Sequence, residues 1–89
     1  MYKVTQMTSQ RSGNPIANQF KISTPKGLFF QSYSSIIALI DNKNNIILDE
    51  YYHDYSRTTS KYLTQFLDMT TQERRKAIKG GEIKLKNLN

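Results

Sequence analysis

Apolar and polar side chains alternate with a period of two along most of the first half of the chain, and recur with a helical period in the second. That pattern predicts a sheet followed by helices. Tyr2 to Thr8 puts Tyr2 and Val4 on one face and Lys3 and Thr5 on the other, as a half-buried strand does. Ser9 to Asn18 reads SQRSGNPIAN and predicts a loop, since Gly13, Asn14 and Pro15 favour turn geometry and the polar residues have little to bury. Alternation returns at Gln19 to Thr24 through Phe20 and Ile22. Pro25-Lys26-Gly27 then supplies a preset φ followed by a residue that tolerates φ > 0, so Leu28 to Gln31 is expected to return antiparallel. Ser32 to Ile40 reads as one central strand, rich in β-branched and aromatic residues and apolar on both faces near Ile36 to Ile40. Asp41 to Asn45, DNKNN, is a turn leading into Ile46 to Leu48, which predicts a hairpin.

From Asp54 to Leu67 the period changes. Thr59, Tyr62, Leu63, Phe66 and Leu67 fall at helical spacing and predict a buried stripe with Phe66 in its middle, while Arg57, Ser60, Lys61, Thr64 and Gln65 fall mostly on the other side. Arg57 and Lys61 lie one turn apart, so their charges project together. Thr70-Thr71-Gln72-Glu73 fits a capping box and predicts a second, short helix. Gly80-Gly81 is expected to stop it, with Gly80 as a candidate for the left-handed conformation, and Lys79 complements the negative end of the helix dipole. Glu82 to Leu88 alternates again as a last strand. The expected fold is α+β: a small antiparallel sheet of about five or six strands with one amphipathic helix and a second short helix on one face.

Size and charge narrow the picture. With 89 residues the chain is read as one domain, residues 1–89, because a chain this short has one modest core. No cysteine is present, which removes disulfides, thiolate zinc sites and a cysteine nucleophile and suits a reducing cytoplasm. The longest apolar run, Ile36 to Ile40, falls far short of the roughly 20 residues that span a bilayer, and Met1-Tyr2-Lys3-Val4 opens no signal-like segment. The formal charge of +6 divides into +4 over residues 1–40, −3 over 41–55 and +5 over 56–89. A surplus of that kind favours an anionic partner, and it also keeps a small protein in solution.

The candidate chemistry is that of binding. There is no G-x-S-x-G elbow, no phosphate-binding glycine loop and no H-E-x-x-H, so the chain is expected not to be an enzyme and to need no cofactor. His53 is the only histidine, and with Asp49, Glu50 and Asp54 near it reads as a connector rather than a metal site. Arg57 to Lys61 combines a helix start, hydroxyls and two bases, which suits phosphate, although Ser56, Thr58 and Thr59 also serve as ordinary caps. Tyr51, Tyr52 and Tyr55 offer flat faces to nucleobases or pack the junction between sheet and helix. Arg74, Arg75, Lys76 and Lys79 form the densest basic run. Because successive helix residues point about 100° apart, only some of these share a face, and Arg75 and Lys79 are the i, i+4 pair.

The stretch Y-S-R-T-T-S-K-Y-L-T-Q-F-L at Tyr55 to Leu67, E-R-R-K at Glu73 to Lys76 and G-E-I-K-L-K-N-L at Gly81 to Leu88 resembles a family of small proteins encoded by bacteriophages and prophages. The resemblance covers about Gln31 to Leu88 and implies a viral origin, an accessory role and a place in the cytoplasm of the infected bacterial host; it brings no catalytic residues. The expected function is non-enzymatic binding of nucleic acid through a basic helical surface, with Arg57, Lys61, Arg75, Lys79 and Tyr52 as the contact residues. The alternative is an inhibitor or adaptor that binds a host protein, such as a defence protein, through the same residues.

Overall fold

The computed structural model describes residues 2–89. Six strands form one sheet in chain order. β1 (Lys3–Thr8), β2 (Pro15–Thr24), β3 (Gly27–Ser32), β4 (Ser35–Asp41) and β5 (Ile46–Asp49) are successively antiparallel, and β6 (Ile83–Lys86) pairs parallel to β5. Between β5 and β6 lie a short 3-10 turn (Tyr52–Asp54), α1 (Arg57–Leu67) and α2 (Thr71–Lys79). A helical crossover of this length returns the chain to the end of the sheet it left, so the next strand runs parallel. The sheet is thus antiparallel as expected except at this one pair.

Cross-strand partners share a face, and this sorts the sheet into two. Lys21, Phe30, Ala38 and Leu48 align in one row. Phe30, Ala38 and Leu48 from this row form the core with Met7, Ile37, Ile83, Leu63 of α1 and Ala77 of α2. Ile37 joins Ala38 on that face because the pairing slips between Phe30 and Gln31, and a bulge there turns two successive side chains to one side. Both helices therefore lie on the Phe30 face. Within the α1 stripe the fully covered residues are Thr59 and Leu63. Phe66, expected at the centre, is half-buried and stacks on Phe30 with ring centroids 5.4 Å apart.

Local corrections have local causes. The loop predicted over Ser9 to Asn18 is shorter, because β2 begins at Pro15 and Asn18 (φ 65) lies within it. The strand expected over Ser32 to Ile40 starts later, at Ser35, because Ser32 still belongs to β3. Ser32 pairs with Ser35 across a two-residue loop in which Tyr33 holds φ 57, the left-handed start that such loops use. Helix α1 starts at Arg57, within the stretch expected to open it, and Ser56 caps it by accepting from the Thr59 N–H at 3.1 Å. The capping box of α2 is formed as expected: the Thr70 hydroxyl accepts from the Glu73 N–H at 3.1 Å, and the Thr70 N–H donates to Glu73 at 3.0 Å. Beyond α2 it is Gly81 (φ 83), not Gly80 (φ −80), that turns left-handed. In the tight turn after β2, a Cβ at Gly27 (φ 139) would run into the Ile40 carbonyl, so the close approach of β3 to β4 requires glycine.

One residue contradicts the logic of the core. Gln19 on β2 is fully buried and neither of its side-chain polar atoms has a hydrogen-bond partner. An orphaned buried polar group costs about 1 to 3 kcal/mol. Gln19→Met keeps the length of the side chain and removes both orphans, so it is expected to raise the unfolding free energy by about 1 to 3 kcal/mol. Urea denaturation decides this: an unchanged or lower midpoint would mean that the Gln19 amide is paired in solution.

Candidate functional site

Helices α1 and α2 border a groove of about 530 Å³, lined by Arg57, Lys61 and Arg75, with Ser60, Thr64 and Thr71 between them. The i, i+4 spacing of Arg57 and Lys61 sets both on one edge of α1, and the first turns of α2 bring Arg75 to the facing edge. Three of the expected contact residues thus converge from two elements. Asp54 also lines the groove, as its one acid.

Arg74 lies beneath these cations. Only 3% of it is exposed, and its guanidinium donates to Ser60 at 2.8 Å and to Thr64 at 3.0 Å. It is neither a solvated member of the basic run nor a surface contact; it fastens α2 to α1 and fixes the width of the groove. Burial pulls its pKa down, Asp54 pushes it back up and the charge of Arg75 lowers it again, yet a guanidinium stays charged through any such shift. The charge adds to the positive potential of the groove from below.

On the far side of Tyr55 and Ser56 is a second cleft of about 350 Å³, lined by Tyr33, Tyr52, Tyr55, Ile37, Thr59 and the serines of the Ser32–Ser35 turn. Tyr55 and Ser56 line both depressions, so cationic groove and aromatic cleft share a wall. Tyr51, Tyr52 and Tyr55 form an edge-on cluster, with Tyr51 and Tyr52 centroids 4.8 Å apart and Tyr52 and Tyr55 5.6 Å apart. Tyr52 is half-buried against the core, while Tyr55 is 64% and Tyr33 59% exposed. The structure therefore gives Tyr52 to the cleft wall and leaves Tyr55 and Tyr33 as the free aromatic faces. Lys79 sits one turn along α2 from Arg75, outside the groove.

The aromatic cleft is braced from below. Asp49 is buried, and its carboxylate accepts from the Tyr51, Tyr52 and Leu88 N–H groups at 3.1, 2.8 and 2.8 Å and from the Asn89 side chain at 2.9 Å. Burial alone would raise its pKa, but the bonds from Leu88, Tyr52, Asn89 and Tyr51 together hold it below the ordinary carboxylate value. His53 is half-buried and its Nδ1 donates to the Asp49 carbonyl at 2.9 Å, which makes it part of this brace.

Sequence reading missed Tyr33 and Arg11. Tyr33 reaches the cleft because a hairpin turn falls on it, and Tyr-Ser carries no turn signature. Arg11 lines a further depression with Lys61, Tyr62 and Gln65, where Gln65 donates to the Thr8 carbonyl at 2.8 Å and ties the first hairpin to α1. No short-range pattern connects residues fifty positions apart.

Residues 2–82 match a family of unknown function, DUF8033. The chain belongs to this family. The DUF8033 match takes in β1 to β5 and both helices, hence every residue of groove and cleft named above, and stops short of β6. No curated protein and no solved structure matches the chain. Among the described residues, no helix is long and apolar enough to cross a membrane.

Proposed function

We propose that the chain is a non-enzymatic nucleic-acid-binding protein that takes single strands, with phosphates in the groove of Arg57, Lys61 and Arg75 and a base against Tyr55 in the adjoining cleft. Its role is that of a bacteriophage accessory protein working in the cytoplasm of the infected host. The observation that carries the reading is the shared wall: Tyr55 and Ser56 border a cationic depression on one side and an aromatic one on the other. Single-strand binders combine a positive track for the backbone with aromatic faces for the bases.

The two halves of the site predict different losses. Affinity for a labelled oligonucleotide is expected to fall with salt at a logarithmic slope of about −0.7 per phosphate contacted, and Arg75→Ala or Arg57→Ala to flatten that slope by about one contact. Tyr55→Ala is expected to weaken binding by about 1 to 3 kcal/mol while leaving the slope unchanged, since stacking releases no counterions. Fluorescence anisotropy across several salt concentrations separates them. No binding at low salt, or equal binding by wild type and all three variants, rejects the proposal and moves the site to the alternative, a host-protein interface anchored by the same Arg and Tyr side chains.

A further inference from the structure

The helices cover one face of the sheet; the other carries an apolar row that crosses every strand but the last. Val4, Ile22, Phe29, Leu39 and Ile47 are successive cross-strand partners, and the row ends at Lys84 on β6. None of these residues belongs to the core beneath α1 and α2. Ile22, Phe29 and Ile47 are half-buried, Leu39 between them is 9% exposed, and Val4 at the edge is 62% exposed. Antiparallel sheets with one wet face put polar residues there, so an aliphatic and aromatic row on that face is a departure that calls for a cover.

The surface area of the whole chain leaves room for such a cover. The chain exposes 6216 Å², whereas the scaling for compact monomers gives roughly 5,400 Å² at its mass of 10.4 kDa. The surplus of about 800 Å², taken over the whole surface, is comparable to what one partner contributes to an interface of standard size. The body measures 35 × 29 × 20 Å, and its thin axis is that of one sheet plus one helix layer, so the broad face is wide enough to bury that area.

Charge selects the occupant. The chain carries +6, yet the row contains no charge until Lys84 at its edge, while the groove cations lie on the opposite, helical side. A surface that meets its own copy must be free of like charges at its centre, because a two-fold axis brings the residues next to it against their own copies. A strongly cationic protein self-associates with least repulsion through such an apolar row, since the charges on that face, Asp41, Lys84 and Lys86, lie at strand ends or on the last strand.

We infer that the open sheet face is a self-association surface and that two copies pack sheet to sheet. The assembly is a four-layer dimer, with the sheets about 10 Å apart and the helices outermost. Both cationic grooves then remain on the outside, so the inference stands independently of what they bind.

Light scattering on the full chain after size exclusion, from micromolar to near-millimolar concentration, tests this. Wild type is expected at twice the mass of the 10.4 kDa chain, and Ile22→Glu and Val4→Glu at half the wild-type mass with an unchanged far-ultraviolet circular dichroism spectrum. Lys21→Glu, on the helix side of the same strand, is expected to stay dimeric. Val4 lies on an exposed edge strand, so Val4→Glu carries the test if Ile22→Glu does not fold. A wild type of single-chain mass throughout overturns the inference. In that case co-sedimentation with phosphatidylcholine vesicles gives the face to lipid, and its absence gives it to a different protein. A dimer that persists in folded Val4→Glu and Ile22→Glu overturns it too, by placing the contact elsewhere.

Discussion

Phe30→Ala is expected to lower the unfolding free energy by about 3 to 5 kcal/mol, the usual cost of emptying a buried aromatic site. Phe30 is wholly buried in the middle of the sheet, and Phe66 of α1 stacks on its ring with planes 24° apart. The loss therefore opens a cavity between the layers as well as removing apolar area from the core. A domain of 89 residues has about 4 to 13 kcal/mol to lose, so the variant is expected to give up a large share of its stability and to unfold at a much lower urea concentration. Phe66→Ala is expected to cost less, because Phe66 is only half-buried. Urea midpoints for the two variants decide the matter: a Phe30→Ala effect under about 1 kcal/mol, or the reverse order, would mean that the helices do not pack on the Phe30 face.

Asp49→Asn is expected to cost about 2 to 4 kcal/mol, since an amide presents an N–H₂ group where the carboxylate accepts, and so turns attraction into an unmet donor. The residue joins the end of β5 to the 3-10 turn and to Leu88 and Asn89, so its loss loosens the wall of the tyrosine cleft. The pH dependence has a definite sign. Because the folded pKa lies below the unfolded one, the wild-type carboxylate contributes fully above the unfolded value of about 3.9, and that contribution is lost as pH falls through the folded value. The difference between wild type and Asp49→Asn should be constant near neutrality and shrink below about pH 4. A difference that persists unchanged into acid would show that the hydrogen-bonded carboxylate is not its source.

What the sequence made legible was local. The DNKNN hairpin forms because the Asp41 carboxylate accepts from the Lys43 and Asn45 N–H groups at 2.9 Å each, and the Asn45 bond in particular lowers its pKa. The capping box of α2 and the polar edge of α1 were likewise readable from neighbours three or four residues apart. Three left-handed positions were not: Tyr33 and Asn18 are placed by the pairing of β2, β3 and β4, and Gly81 rather than Gly80 by the path into β6. The burial of Arg74 was hidden because its partners, Ser60 and Thr64, lie on another helix. Apolar residues on both faces of Ser32 to Ile40 suggested cover on both sides, and the helices supply only one. The site followed the same rule. Arg57 and Lys61 could be paired from their spacing, but the meeting of Arg75 with them, and of Tyr33 with Tyr55, depends on how α2 and the β3–β4 turn pack.

The most direct test of the nucleic-acid reading is a map of where an oligonucleotide touches the protein. Amide chemical shifts of the labelled chain, followed as a short single-stranded oligonucleotide is added at low salt, are expected to move along Arg57 to Thr64, Thr71 to Arg75 and Tyr33, and to leave Ile22, Phe29 and Leu39 in place. Shifts centred on the apolar sheet row, or none at all, would contradict the account.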